Sequence, residues 1–129
     1  MPETERRKSD HIKIVLNKDI QHKNSAGFDD VMLIHNALPE IDFDDVDTGT
    51  KFLGKKLTAP ILVSGMTGGT PEAEKINKNL ARAAEATGIG MGIGSQRAMI
   101  ENGKLLSTYS VRDVAPSMLL IGNIGAAQF

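Results

Sequence analysis

The sequence predicts a parallel α/β fold, read as the opening part of a (β/α)8 barrel: about three β/α units preceded by an N-terminal extension. Three observations carry this. Short apolar runs recur after residue 58, at 61–66 (ILVSGM), 89–95 (IGMGIGS) and 118–125 (MLLIGNIG). A helical pattern with its own start and stop signals separates the first two. Residues before 58 are polar and mixed and lack this rhythm. Residues 1–57 are therefore taken as the extension, and 58–129 as the first strands and helices of an incomplete barrel.

In the extension, Glu5 to Leu16 can form a short helix with Ile12 and Val15 or Leu16 facing a neighbour. The stretch from Phe28 to His35 ends in a short apolar run, with His35 read as structural and His22 as exposed. The acidic run at 41–50, IDFDDVDTGT, reads as a solvated face, because no His or further acid supplies metal-ligand spacing. TKFLGKKL then reads as an extended arm or a hairpin turning at Gly54.

From Ala59 the pattern becomes regular. The first strand is apolar on both faces, as in buried parallel sheets. Thr70 is an N-cap with Pro71 at the first helical position, and Glu72 and Glu74 complement the helix terminus. Ile76, Leu80, Ala83 and Ala84 make one face, and Gly88 stops the helix. A second helix is expected over about Lys104 to Val114, with Pro116 just past it. Strands alternating with helices at this spacing imply a parallel sheet with right-handed crossovers.

An open doubly wound sheet accepts the same order, but its dinucleotide fingerprint needs G-x-G-x-x-G between the first strand and helix, where this sequence has GMTGG. The barrel is the better fit. Barrels take about 250 residues, so a chain of 129 is expected to be the N-terminal part of something longer.

Composition excludes several classes. A formal net charge of −1 argues against a nucleic-acid partner, which would demand a basic face. With no cysteine there is no disulfide framework and no thiolate metal site. No run approaches the roughly 20 apolar residues of a membrane span, and the N-terminus lacks the apolar core of a secretory signal. The expectation is a soluble cytoplasmic protein without a membrane partner.

Functional groups of parallel α/β folds gather where strands end. Here the first strand ends in Gly65-Met66-Thr67-Gly68-Gly69, the second in Ser95-Gln96-Arg97, and the third near Asn123. Each has a plain structural alternative: a tight turn, an N-capping Ser, a satisfied core Asn. Together they favour a site in which bare backbone admits a planar ring and small polar groups read its edge. Arg97 could neutralise a phosphate or a developing anion. In the N-terminal RRKSDH, Arg7 and His11 fall four apart on one helical face with Lys8 adjoining. Such a group suits a diphosphate, although composition alone favours a merely solvated charged terminus.

Six blocks, RK..H near the start, FDDV-x-L-IH, TKFLGK, AP…GMTGG, MG-x-GSQR and IGN-x-G-x-x-Q, closely resemble the type 2 isopentenyl diphosphate isomerases, FMN-dependent enzymes of isoprenoid biosynthesis. The resemblance runs through nearly the whole chain and covers about the first third of a family member. It implies an FMN-binding (β/α)8 TIM barrel that interconverts isopentenyl and dimethylallyl diphosphate by a 1,3-proton shift. FMN reduced by NADPH is the expected acid/base, and Mg²⁺ a further cofactor. No side chain of this chain is then assignable as catalytic or as a metal ligand. The resemblance implies substrate binding by Arg7, Lys8, Ser95, Gln96 and Arg97, with His11 less directly matched, and flavin binding by Met66, Thr67, Gly68, Ser95 and Asn123. The full-length protein is expected to be a homo-oligomer. A truncated or split barrel fragment, inactive without the missing part, is the second reading. A different FMN barrel, such as a hydroxy-acid oxidase or dihydroorotate dehydrogenase relative, predicts another N-terminus.

Overall fold

The computed structural model describes residues 3–128. Helix α1 (Glu3–Asn17) opens the chain, followed by a long open segment with 3-10 turns at Phe28–Asp30 and Phe43–Asp45. An antiparallel hairpin comes next, β1 (Thr50–Phe52) and β2 (Lys55–Leu57), with Leu53 and Gly54 both at positive φ. That is the geometry of a two-residue hairpin turn, whose twist matches the flanking strands. The hairpin alternative is thus the one realised.

The second half holds β3 (Leu62–Val63), α2 (Pro71–Thr87), β4 (Gly90–Gly92), α3 (Arg97–Glu101), a 3-10 helix at Gly103–Thr108 and β5 (Leu120–Ile121). The three strands form one parallel sheet in the order β3-β4-β5, pairing Val63 with Met91 and Met91 with Leu120. Among the described residues it is an open three-stranded sheet with β3 and β5 at its edges. The parallel α/β order matches the sequence expectation, but the strands are shorter than the apolar runs that contain them.

Helix α2 forms because its signals agree. Thr70 Oγ1 accepts the Ala73 N–H at 3.1 Å, Pro71 occupies the first turn, and Gly88 ends the helix at φ 71°. Its buried stripe differs from the expected face. Ala73, Asn77, Ala81 and Ala84 point inward, while Ile76 and Ala83 are exposed. Small residues let the helix lie close to the sheet, so the stripe is set by close approach rather than by side-chain size. The core joins Ala81 and Ala84 to Met91, Ile93, Tyr109, Val111, Ala115 and Met118.

The expected helix over 104–114 is absent. Asn102 Oδ1 accepts the Lys104 N–H at 3.2 Å, Thr108 Oγ1 donates to Leu105 O at 2.7 Å, and Ser110 Oγ donates to Leu106 O at 3.1 Å. Short polar side chains that bond the nearby backbone compete with α-helix propagation. The segment tightens into a 3-10 helix and turns Tyr109 into the core.

The extension differs too. The buried residue of α1 is Lys8, whereas Val15 and Leu16 are exposed. The acidic residues at 42–47 are solvent-facing, as expected. His35 is also exposed, so it is not a structural core residue, and the apolar run beside it is open, with Ile34 99% accessible. No helix of the described residues is long and apolar enough to cross a membrane.

Candidate functional site

The loops after β3, β4 and β5 lie together. Side chains alternate along strands, so Val63, Met91 and Leu120 face α2 while Leu62 and Ile121 turn the other way. Over the sheet end lies a cavity of about 530 Å³, whose lining includes Ser64, Gly65, Gly92, Ile121, Gly122 and Asn123. The rest of the lining is aliphatic, Leu62, Val63, Ile93 and Ile124, so the wall combines apolar side chains with bare backbone at the three glycines, and Ser64 and Asn123 are its polar groups. That shape and donor set fit a planar heteroaromatic ring: a flat wall for its face and polar groups for its edge.

The loop at 65–69 is held from beneath. Asn77 uses its amide to donate to Thr67 O at 3.2 Å and Thr108 O at 2.9 Å. The Gly69 N–H donates to Thr108 Oγ1 at 2.9 Å. Gly68 lies against the Tyr109 ring so closely that a Cβ would overlap it. Thr67, Gly68 and Gly69 are all buried, while Met66 stands out at 72% exposure. Of the three residues expected to bind flavin in this loop, Met66 is thus accessible through its side chain. Thr67 and Gly68 are engaged by the protein's own groups, and the flat object lying on Gly68 is Tyr109.

The second strand end is tied to both neighbours. Gly94 packs against the Thr67 backbone. Ser95 O accepts hydrogen bonds from Tyr109 Oη at 3.1 Å and Lys8 Nζ at 3.3 Å. The next N–H, that of Gln96, donates to Asn123 O at 2.9 Å, and Gln96 Oε1 accepts the Asn123 N–H at 3.3 Å. Asn123 itself lies exposed two residues beyond β5, rather than buried within a strand as its apolar neighbours suggested. Ser95, Gln96 and Asn123 are therefore brought together, with Gln96 serving as the clasp between two loops.

The cations gather along α1 and α3. Lys8 is buried, and desolvation, with the neighbouring Arg7 charge second, pushes its amine below the ordinary lysine value. Arg7 and His11 are exposed on α1. Arg97 Nε donates to Glu101 Oε1 at 2.7 Å, a bond that raises the guanidinium pKa and lowers that of the carboxyl. Thr4 Oγ1 also donates to Glu101, at 3.0 Å, and Asn102 Nδ2 donates to Glu5 at 3.4 Å, so α1 docks on α3. Arg97 is thus occupied on an exposed surface, while Lys8 is the cation that reaches the strand-end loops. Among the described residues there is no group of three or more His, Asp or Glu able to hold a metal ion.

Sequence reasoning missed Asn77, Thr108 and Tyr109, which hold the loops from beneath. Asn77 was legible as a polar residue at an i+4 position from Ala73, on the same turn-to-turn stripe as Ala81. Tyr109 was legible only as the sole tyrosine of a chain without tryptophan.

A family model described as FMN-dependent dehydrogenase matches residues 10–115. Similar proteins include those named isopentenyl-diphosphate delta-isomerase from Synechocystis sp., 57% identical over 99% of this chain, and from Pyrococcus abyssi, 52% identical over 95%. A third, from Rickettsia canadensis, is 52% identical over 95% of the chain. The matches cover 37%, 34% and 36% of those relatives, respectively, so this chain spans about a third of their length. With this match over most of its length and a parallel α/β order, the chain belongs to the FMN-dependent dehydrogenase family.

Proposed function

We propose that this chain supplies the first wall of the active site of an FMN-dependent isopentenyl-diphosphate isomerase, built as a (β/α)8 barrel, that interconverts isopentenyl and dimethylallyl diphosphate. The observation that carries this reading is the meeting of Lys8 with Ser95 O at 3.3 Å, in the loop that follows Gly92 and Ile93 of the cavity lining. It brings a cation to a strand-end loop whose preceding residues line the cavity, and a diphosphate and a planar ring call for these two elements. The names of the similar proteins supply the substrate class.

In this reading reduced FMN, when bound, supplies the acid/base chemistry of a 1,3-proton shift. This chain's residues bind, orient and exclude water. Arg7, Lys8 and His11 on α1 would hold the substrate diphosphate, with Arg97 available once it leaves Glu101. Met66 and Asn123 would lie beside the ring, with Thr67 and Gly68 shaping the backbone under it. Ser95 would stand between flavin and substrate, with Gln96 on the substrate side. NADPH as reductant, Mg²⁺ taken with the diphosphate, a homo-oligomeric state and a cytoplasmic setting belong to the same proposal.

A second reading has support of its own. The sheet has both edges open among the described residues, and the chain spans about a third of its relatives' length. On that reading the chain is inactive alone and acts by associating with the rest of a barrel. Titration of the purified chain with FMN, followed by assay of isopentenyl diphosphate conversion with chemically reduced flavin, separates the two. Binding with turnover supports the first reading for this chain by itself, and binding without turnover supports the second. Failure to bind, in this chain and in a longer protein containing it, overturns the flavin assignment.

A further inference from the structure

We propose that Tyr109 is a positioning residue that sets the spacing of the first two strand-end loops, and with it the orientation of the Ser95–Gln96 peptide at the candidate site. Tyr109 touches both loops with different parts of one side chain. Its ring lies on Gly68, and its hydroxyl donates to Ser95 O at 3.1 Å. A rigid ring of fixed length therefore determines how far Ser95 stands from Gly68. Tyr109 is itself buried, a member of the core cluster that also holds Ala81, Ala84, Met91 and Val111, so the spacer does not drift. Burial also raises the phenol pKa, so the hydroxyl remains a donor further into alkaline pH.

The peptide so held is anchored at both ends. Its oxygen accepts from Tyr109 and Lys8, and its N–H donates to Asn123 O at 2.9 Å. Hydrogen bonds on the two sides of one peptide polarise each other. Loss of the Tyr109 donor should therefore loosen the Gln96–Asn123 bond on the far side, at the third strand end. The lysine that reaches the same oxygen is a long, flexible group at 3.3 Å. The phenol is the pre-organised member of the pair and defines the plane. Nothing in the sequence motifs singles out this tyrosine, which lies 14 residues beyond Ser95 in a segment expected to be helical.

The functional half of the inference rests on the flavin reading above; the structural half does not. The test is Tyr109→Phe in the full chain, which removes the hydroxyl and keeps the ring on Gly68. Hydrogen exchange at the Gln96 amide is expected to accelerate by roughly three- to tenfold, as befits one net hydrogen bond. FMN affinity should weaken by a similar factor, and the visible spectrum of bound flavin should shift. Because the chain has one tyrosine and no tryptophan, incorporated 3-fluorotyrosine labels position 109 alone. Its fluorine resonance in the parent chain should move on flavin addition, and this measurement also serves if the Phe variant folds poorly. Unchanged Gln96 exchange in a folded variant, or a fluorine resonance indifferent to bound flavin, overturns the positioning role. If neither the parent chain nor a longer protein containing it takes up FMN, the flavin reading falls, and Gln96 exchange alone decides whether Tyr109 positions the peptide.

Discussion

Gly68 presses its Cα on the ring of Tyr109, leaving no room for a Cβ. The glycine cluster after β3 is therefore fitted to the protein's own aromatic before it meets any ligand. Gly68→Ala should force ring and loop apart at a cost of about 1–3 kcal/mol. Urea unfolding measures this, and an unchanged midpoint would mean that the ring yields freely.

Asn77 is 2% exposed and satisfies two carbonyls, Thr67 O and Thr108 O. Asn77→Leu leaves both without this donor, at about 1–3 kcal/mol for each buried group. The expected outcome is a loss of at least about 2 kcal/mol in denaturant unfolding, larger than for exposed Asn79→Leu two positions on.

Glu85 ties the end of α2 to the entrance of β5. It accepts from the Ser117 and Met118 N–H groups at 3.2 and 2.7 Å, and from the Ser117 hydroxyl. The Ser117 hydroxyl leads in lowering its pKa below the ordinary 4.5. A carboxyl depressed in the folded state stabilises fully above its unfolded value and loses that contribution as pH falls through the folded one. Stability followed from pH 7 downward should therefore decline below about 4.5, with a shallower decline in Glu85→Gln. Identical pH profiles would remove the carboxylate from this account.

Lys8 gives the same sign of slope in an alkaline window and for a different reason, since burial disfavours its charged form. Its folded pKa lies below 10.5, chiefly through burial, so in the window beneath that value the unfolded state holds more protons. Stability should rise with pH there, and Lys8→Met should abolish the rise. Because a buried amine with one long hydrogen bond is replaced by an apolar chain, Lys8→Met should be near neutral or stabilising at pH 7. Pyrophosphate affinity should nonetheless fall by at least about tenfold, as calorimetry would read it. A variant that binds pyrophosphate as the parent does would separate Lys8 from the anion.

Helix α2 and the β1–β2 hairpin were legible in the sequence because their determinants are local. A cap, a proline, a glycine stop and a two-residue turn act within a few residues of chain. The parallel order of the sheet followed from the spacing of apolar runs. The absence of an α-helix over 104–114 was not legible, since it comes from side-chain bonds of Asn102, Thr108 and Ser110 that compete with it. The inward stripe of α2 was misread because apolar size suggested Ile76, whereas close packing selected alanines and Asn77.

The candidate site divides along the same line. Sequence by itself determined which residue types stand at the three strand ends and that cations precede them on a helix, because those are matters of identity and spacing. Tertiary structure alone decided that Lys8 rather than Arg97 reaches Ser95, that Gln96 clasps Asn123, and that Tyr109 is the ring on Gly68. These are contacts between residues 27 to 87 positions apart, and such partners are chosen by the packing of whole elements, which no local pattern encodes.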